Sequence, residues 1–245
     1  MMRHFRMTLE YDGTDFAGYQ YQVGQRSVQD ELEQAIAKIT CKTLRITGAG
    51  RTDAGVHALG QVISFSAATR IPIERFPISM NCVLPPDIRI TSAQEVEVSF
   101  NARFSARSRK YIYVILNREA PSALFGRYTW HLRQQLDLAA MQNSARQLVG
   151  VHDFTAWANS VKEVQSTVRE MKRIEVRSVR QFVLIHVEAN AFLKGMVRNI
   201  VGTLVDVGVG KRSPNEIEMI THSRDRVNAG PCAPARGLCL VRVCY

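Results

Sequence analysis

The sequence lacks the residue patterns that mark disulfide frameworks and the common metal sites. Its five cysteines are an odd number and form no C-x-x-C pair, which argues against a disulfide scaffold and against a typical zinc site. Its six histidines show no H-x-x-x-H or H-E-x-x-H spacing, so no helix presents a metal-binding pair. We therefore predict that the protein holds no metal and works in a reducing compartment, the cytoplasm.

Long apolar runs and phosphate-binding loops are also missing. No stretch reaches the roughly 18 apolar residues of a membrane span, and residues 1–8 lack an apolar signal region, so we expect an unprocessed protein that does not associate with membranes. Gly48-Ala49-Gly50 lacks the third glycine of a dinucleotide fingerprint, and Val209-Gly210-Lys211 lacks the upstream glycine of a P-loop. These absences predict that no nucleotide cofactor is used.

Basic charge and apolar residues are what the sequence has in quantity. The 245 residues are 46% hydrophobic, which is enough to bury a sizeable core. Lysine and arginine number 32 against 22 acidic residues, giving a net charge of +10. Such an excess favours an anionic partner such as nucleic acid, but a well-solvated basic surface explains it equally well.

The hydrophobic periodicity predicts an α+β protein with two similar lobes. In the first half we expect strands at 5–11, 44–47, 61–65 and 88–98, with a helix capped by Ser27 that runs to Thr40 and another after Pro72. In the second half we expect strands at 110–115, 168–179, 182–188 and 238–243, and helices at 136–149, at 192–207 and from Pro214. We place the lobes at residues 1–106 and 107–245.

A glycine-rich loop at residues 48–55 separates two predicted strands and concentrates polar groups. Arg51, Thr52 and Asp53 lie in it, and His57 follows closely. Loops of this kind often carry function, because glycine lets the backbone turn sharply around reactive side chains. An aspartate beside glycine also caps tight turns. The local chemistry leaves both interpretations open.

A second candidate segment interleaves basic and aromatic residues. If it were extended throughout, one face would carry Arg103, Arg107, Arg109, Tyr111 and Tyr113, with Phe104, Ile112 and Val114 facing the core. Guanidinium groups pair with phosphates and aromatic rings stack on unpaired bases, so the pattern fits an RNA surface. An ordinary charged strand face fits it as well.

The predicted helix at 192–207 carries two basic residues on one side. Lys194 and Arg198 lie one turn apart, while Phe192, Met196 and Ile200 form an apolar side. Arg198 can snorkel to the surface from this position. If it is buried, it needs a carboxylate partner, for which Asp53 is a candidate.

The stretch GRTDAGVHA at residues 50–58 resembles the signature of the TruA family of tRNA pseudouridine synthases. Further matches occur in the family's order along nearly the whole chain. They are YDGT at 11–14, FNARFSA at 100–106, KYIY at 110–113, GVHDF at 150–154, NAFL at 190–193, MVRNIVG at 196–202 and APARGL at 233–238. Tyr19 departs from the family's usual tryptophan, and Lys194-Gly195 replaces a pair that often contains histidine or asparagine.

The resemblance implies a fold, a reaction and a set of site residues. The two lobes would share one extended antiparallel or mixed sheet flanked by helices, with an active-site cleft between them. A homodimer would isomerise uridines to pseudouridine in the anticodon stem-loop of tRNA, without a cofactor. Asp53 matches the catalytic aspartate, Tyr111 the active-site tyrosine, Arg198 the arginine that pairs with the aspartate, and Arg51 an arginine thought to assist extrusion of the base.

Phosphate contacts and two competing functions complete the set of expectations. We expect phosphate contacts from basic residues outside the catalytic set, namely Arg103, Arg107, Arg109, Lys194, Lys211 and Arg212. One alternative is an RNA-binding protein that keeps the fold without catalysis, although the matched catalytic residues are all present. Another is an aspartate-dependent hydrolase, which would normally need a second carboxylate that this loop does not contain.

Overall fold

The computed structural model describes residues 2–162 and 164–245. The strands are β1 (Met2–Tyr11), β2 (Thr47–Gly48), β3 (His57–Ala68), β4 (Ile88–Glu95), β5 (Ser108–Asn117), β6 (Trp130–Leu132), β7 (Gly150–Asp153), β8 (Val168–Val179), β9 (Phe182–Ala189) and β10 (Leu238–Cys244). The helices are α1 (Val28–Thr40), α2 (Phe76–Val83), α3 (Leu138–Arg146), α4 (Met196–Gly208) and α5 (Glu216–Ser223). The predicted α+β class is confirmed.

The chain forms two compact units. The first ends at Arg107 and also contains Leu240–Tyr245, so it includes most of β10. The second comprises Ser108–Cys239. Each unit contains both strands and helices, and the proposed site residues are divided between them.

In the first unit, the sheet order is β4-β1-β3-β10, with β2 added to β3. Alternate side chains of β1 are buried, including Phe5, Met7 and Leu9, as the period of two predicts. Phe5 stands opposite Phe65 across the antiparallel β1–β3 pair. The Ser27 side chain accepts from the amide of Asp30, which confirms the predicted helix cap.

In the second unit, the sheet order is β5-β9-β8-β7, and β6 pairs with β5 in parallel. α4 is buried along most of its length, which is unusual for a helix in a small domain. This burial fixes the backbone that carries Arg198.

Several predicted elements have the wrong bounds, and two of them lie next to candidate site residues. The strand expected at 44–47 is reduced to Thr47–Gly48. The helix expected from residue 192 begins only at Met196, because Gly195 adopts a left-handed φ of 73° and acts as the N-cap. Lys194 therefore precedes the helix and does not share a helical face with Arg198.

The predicted face of the basic and aromatic segment is also wrong. The Asn101 side chain accepts from the amides of Arg103 and Phe104 and forms a turn, so the backbone is not extended there. Phe104, expected in the core, is 77% exposed. Strand alternation starts only at Ser108, and it buries Tyr111 and Tyr113 while leaving the side chains of Ile112 and Val114 half-exposed.

Two structural features are absent from the part of the chain that the structure describes. None of its helices combines the length and apolar character needed to cross a bilayer. Nor does it contain a group of three or more histidine, cysteine, aspartate or glutamate side chains that could hold a metal ion.

Candidate active site

Asp53 lies on a β-turn between β2 and β3. Its backbone carbonyl accepts from the amide of Val56 at 3.1 Å. Gly55, the third residue of this turn, has a φ of 78°, as a type II turn requires. The Asp53 side chain is half-buried, and Arg51 two residues earlier is exposed. The turn therefore presents a carboxylate from a backbone that is itself hydrogen-bonded.

The residue before Asp53 is held by two tyrosines. The Tyr11 hydroxyl is hydrogen-bonded to Thr52 Oγ1 at 2.8 Å, and the amide of Tyr19 donates to the Thr52 carbonyl at 3.0 Å. Gly18 lets these backbones approach, because a Cβ there would lie 3.1 Å from the Thr52 oxygen. These contacts fix the position of the chain as it enters the turn.

The chain that leaves the turn is held by Gly13 and His57. A Cβ at Gly13 would overlap the carbonyl oxygen of Val56, so the two backbones are in direct contact. The amide of Gly13 donates to His57 Nδ1 at 3.0 Å. Because an amide can only donate, Nδ1 must offer a lone pair, and the ring proton is on Nε2.

His57 Nδ1 also lies 3.1 Å from Asp12 Oδ1. This approach meets the distance for an ion pair, but a nitrogen that accepts from Gly13 cannot donate to Asp12 as well. We assign the Gly13 bond, because the amide has a fixed hydrogen. Asp12 Oδ1 already accepts from the amide and the hydroxyl of Thr14.

Tyr19 fills the space beneath the loop. It is 3% exposed, and its ring lies against Gly48, where a Cβ would overlap it. Among the residues that the structure describes, nothing hydrogen-bonds its hydroxyl. Burial raises the pKa of this phenol well above its ordinary value.

Tyr111 is the second predicted catalytic residue, and it lies on β5 in the other unit. It is 8% exposed. Its ring meets Phe192 edge to face, with 5.1 Å between centroids and an angle of 85°. The neighbouring Tyr113 donates its hydroxyl to the carbonyl of Pro234 at 2.8 Å, which identifies it as a structural residue.

Arg198 lies in the first turn of α4, where its side chain is partly buried. Its Nε donates to the carbonyl of Ala233 at 2.8 Å, and the amide of Ala233 donates to the Arg198 carbonyl at 3.1 Å. This reciprocal pair sets the direction of the guanidinium. The Nη groups are then aimed by the segment that contains Ala233.

The segment that contains Ala233 is fixed to α4 by backbone contact. A Cβ at Gly202 would overlap the carbonyl oxygen of Pro231, so only glycine fits on this side of the helix. The amide of Gly230 donates to the hydroxyl of Thr203 at 2.9 Å. The contacts order Ala233, and Ala233 in turn orders Arg198.

Asn199 completes this arrangement, and we did not identify it from the sequence. Its side chain is fully buried and donates to the Trp157 carbonyl and to Asn159 Oδ1, each at 2.8 Å. Its oxygen accepts from Arg226 Nη2 at 2.9 Å. A polar residue in a mostly apolar helix was the available signal, because such groups require partners when buried.

Some of the predicted phosphate-binding residues are exposed, and others contact protein groups. Exposed basic side chains are those of Arg103, Arg107, Lys194 and Lys211. Arg109 is 9% exposed and donates from Nη1 to the carbonyl of Asn190 at 2.7 Å, and its phosphate contact stays a prediction. Arg212 lies 3.2 Å from Glu216 and 3.6 Å from Asp206.

Comparisons with known proteins agree with the sequence resemblance. The family model described as tRNA pseudouridine synthase matches residues 7–105 and 144–245. The protein named tRNA pseudouridine synthase A from Thermoanaerobacter sp. (strain X514) is 43% identical over 244 residues, covering 100% of both chains. Its namesake from Moorella thermoacetica (strain ATCC 39073 / JCM 9320) is 45% identical, covering 98% of both.

Among solved structures, the crystal structure of the archaeal box H/ACA sRNP Nop10-Cbf5 complex aligns with a TM-score of 0.35 and 14% identity. The alignment covers 92% of this chain and 59% of that one. The family model and the full-length relatives are decisive without it. This chain belongs to the family of tRNA pseudouridine synthases.

Proposed function

We propose that this chain isomerises uridine to pseudouridine in the anticodon stem-loop of tRNA, and that the Asp53 carboxylate is its catalytic group. The observation that carries the proposal is the loop at 50–58. It has the family signature, and its backbone is hydrogen-bonded on both sides of Asp53, at Thr52 and at Val56. Catalytic groups need this kind of support, because a poorly oriented side chain loses much of its effect.

The reaction explains why a single carboxylate can suffice. The N-glycosidic bond of uridine breaks, the uracil turns, and a carbon–carbon bond to the ribose forms. The product is an isomer, so no electrons, phosphates or external groups are transferred. An ionised aspartate can act as nucleophile or as base in such a sequence.

Arg198 is proposed as the partner of Asp53. A guanidinium that is partly buried and aimed by Ala233 suits a carboxylate, because planar Arg–carboxylate pairs have well-defined geometry. Such a pair compensates the carboxylate charge when substrate displaces water. Losing one partner of a buried pair typically costs about 3 to 5 kcal/mol.

Tyr111 is proposed to contact the uracil. The target nucleotide must leave its stack, at a cost of a few kcal/mol, before it can reach a protein group. The Phe192 ring packs edge to face with the Tyr111 ring and restricts the rotation of Tyr111. A ring held in this way can support the detached base while it turns.

Arg51, which is exposed on the same loop as Asp53, is proposed to assist extrusion of the target base from its stack.

Exposed basic residues are proposed to bind the tRNA backbone. Arg103, Arg107, Lys194 and Lys211 are exposed in a chain of net charge +10. Each phosphate neutralised by a protein cation lowers the slope of log affinity against log salt by about 0.9 in duplex nucleic acid.

We also propose that the protein is a cytoplasmic homodimer. Five free cysteines are compatible with a reducing compartment.

The decisive experiment is a single-turnover assay on unmodified tRNA with Asp53→Asn. We expect no detectable pseudouridine, with tRNA affinity within a few-fold of the parent. Asp15→Asn is the matched control, because Asp15 is an exposed acidic residue in the same unit. A normal rate in Asp53→Asn would refute the catalytic assignment. Tight binding without product in the parent protein would instead support a non-catalytic RNA-binding protein.

A further inference from the structure

We propose that His57 is a positioning residue for Asp53. The Nδ1 lone pair of His57 accepts a hydrogen bond from the amide of Gly13. This bond holds Gly13 in place, and Gly13 contacts Val56 at the end of the Asp53 turn. The inference rests on the proposed function, since it assumes that the orientation of Asp53 sets the rate. It assigns His57 no contact with the substrate.

Burial distinguishes His57 from a side chain that binds RNA. It is 6% exposed, although it lies just after a loop rich in polar residues. A buried imidazole needs hydrogen-bond partners, and Gly13 supplies one at Nδ1. The burial and the bond to Gly13 therefore give His57 an internal role.

The path from His57 to Asp53 is short and mostly backbone. Gly13 touches the Val56 carbonyl directly, so a shift of Gly13 displaces Val56. The amide of Val56 closes the turn by donating to the carbonyl of Asp53 at 3.1 Å. One hydrogen bond, one backbone contact and a second hydrogen bond thus connect the imidazole to the aspartate.

The other side of the loop has separate support. Thr52 is held by the hydroxyl of Tyr11 and by the amide of Tyr19, and neither bond involves His57. Loss of His57 should leave Thr52 in place while the side at Val56 loosens. We expect the loop to remain folded with its carboxylate less well oriented, which lowers kcat and leaves KM unchanged.

Asparagine and glutamine provide a matched pair of substitutions. The amide oxygen of asparagine can occupy the position of Nδ1 and accept from Gly13, whereas glutamine places its amide near the position of Nε2. We expect His57→Asn to keep kcat within about threefold, because its amide oxygen still accepts from Gly13. We expect His57→Gln and His57→Ala to lose about tenfold or more in kcat, with KM unchanged.

Amide hydrogen exchange at Gly13 gives a readout that does not depend on catalysis. Exchange of the Gly13 amide should be slow in the parent and in His57→Asn, and faster in His57→Gln. The glutamine variant fills more of the space of the imidazole than alanine does, so the test remains available if His57→Ala fails to fold. Equal kcat in His57→Asn and His57→Gln, or a loss confined to KM, would overturn the proposal. Measuring Asp53→Asn alongside separates the two claims, because an active Asp53→Asn refutes the proposed function whatever His57 does.

Discussion

The two segments that carry the proposed catalytic charges are held in different ways. Asp53 lies on a loop whose neighbours are fixed by individual hydrogen bonds from side chains such as Tyr11 and His57. Arg198 lies in the first turn of α4, a helix that is buried along most of its length. Supports of the loop can therefore fail without loss of the core, whereas supports of the helix are part of the core.

Glycine serves both segments, with different consequences. Gly13 and Gly18 let neighbouring backbones touch the Asp53 loop on its two sides. Gly202 and Gly230 join α4 to the segment that contains Ala233. A misplaced loop backbone changes the direction of one carboxylate, but a misplaced helix backbone disturbs the packing of the whole second unit. Substitutions in the helix should thus reduce stability, and substitutions in the loop should reduce activity.

The largest expected effect is that of Gly202→Ala. The new Cβ would overlap the carbonyl oxygen of Pro231, and backbone on both sides leaves little room for adjustment. We expect a loss of about 3 kcal/mol or more in the free energy of unfolding, measured by urea denaturation. Gly210→Ala is the control, because its φ of 76° is strained for alanine but no atom lies within 4 Å of the added Cβ. That control should lose about 1 kcal/mol. Equal losses in both variants would contradict the close contact.

Asn199→Ala should have the next largest effect. It removes three hydrogen bonds of a buried side chain and leaves the Trp157 carbonyl, Asn159 Oδ1 and Arg226 Nη2 without this partner. We expect a loss of about 3 kcal/mol in the free energy of unfolding, since a buried unsatisfied group costs about 1 to 3 kcal/mol.

Asn143→Ala is the matched control for that measurement. Asn143 is an exposed asparagine in α3, and its loss should change the free energy of unfolding by about 0.5 kcal/mol or less. Suppose instead that Asn199→Ala is as stable as this control and loses activity. A substitution in α4 would then reduce activity and not stability, as we expect only for the loop, and the contrast between the two segments would be wrong.

Tyr11→Phe tests the loop side of the comparison. The change keeps the buried ring and removes only the hydroxyl that is bonded to Thr52 Oγ1 at 2.8 Å. We expect about 1 kcal/mol of destabilisation and a several-fold fall in the single-turnover rate constant measured with saturating enzyme. A fall in stability without any fall in this rate constant would show that other contacts position the chain where it enters the Asp53 turn.

Local periodicity and capping account for what the sequence predicted correctly. The alternation along β1 and the Ser27 cap of α1 are interactions between residues close in sequence, and the structure confirms both. The bounds of β8 were also predicted at both ends. Element type follows from such short-range patterns because they depend on little besides the local chain.

The failures have long-range or side-chain causes. Asn101 diverts the backbone through its own hydrogen bonds, so the expected strand face around Phe104 does not form. Gly195 starts α4 late through a left-handed φ that the apolar pattern does not reveal. The role of Asn199 depends on Trp157 and Arg226, which lie far from it in the sequence. The roles of Asp53, Tyr111 and Arg198 were inferred from resemblance, and they remain proposals.

The smallest expected effect, Tyr19→Phe, has the opposite sign. No hydrogen-bond partner for the Tyr19 hydroxyl exists in residues 2–162 and 164–245, although the group is buried. Removing it should raise the free energy of unfolding by about 1 kcal/mol, because a desolvated hydroxyl is lost and the ring remains. Activity should be unchanged, since the loop is held by the amide of Tyr19 and not by its side chain.

The pH dependence of stability sharpens this test. Burial holds the pKa of the Tyr19 phenol well above its ordinary value, so the folded protein keeps the proton after the unfolded chain has begun to release it. Below about pH 10, the ordinary tyrosine pKa, both states are protonated and the gain in Tyr19→Phe should be constant. Above that pH the parent loses stability through Tyr19 and the variant does not, so the gap between their unfolding free energies should widen. A gap that narrows with rising pH would mean that the folded state stabilises the phenolate, and that the hydroxyl has a partner after all.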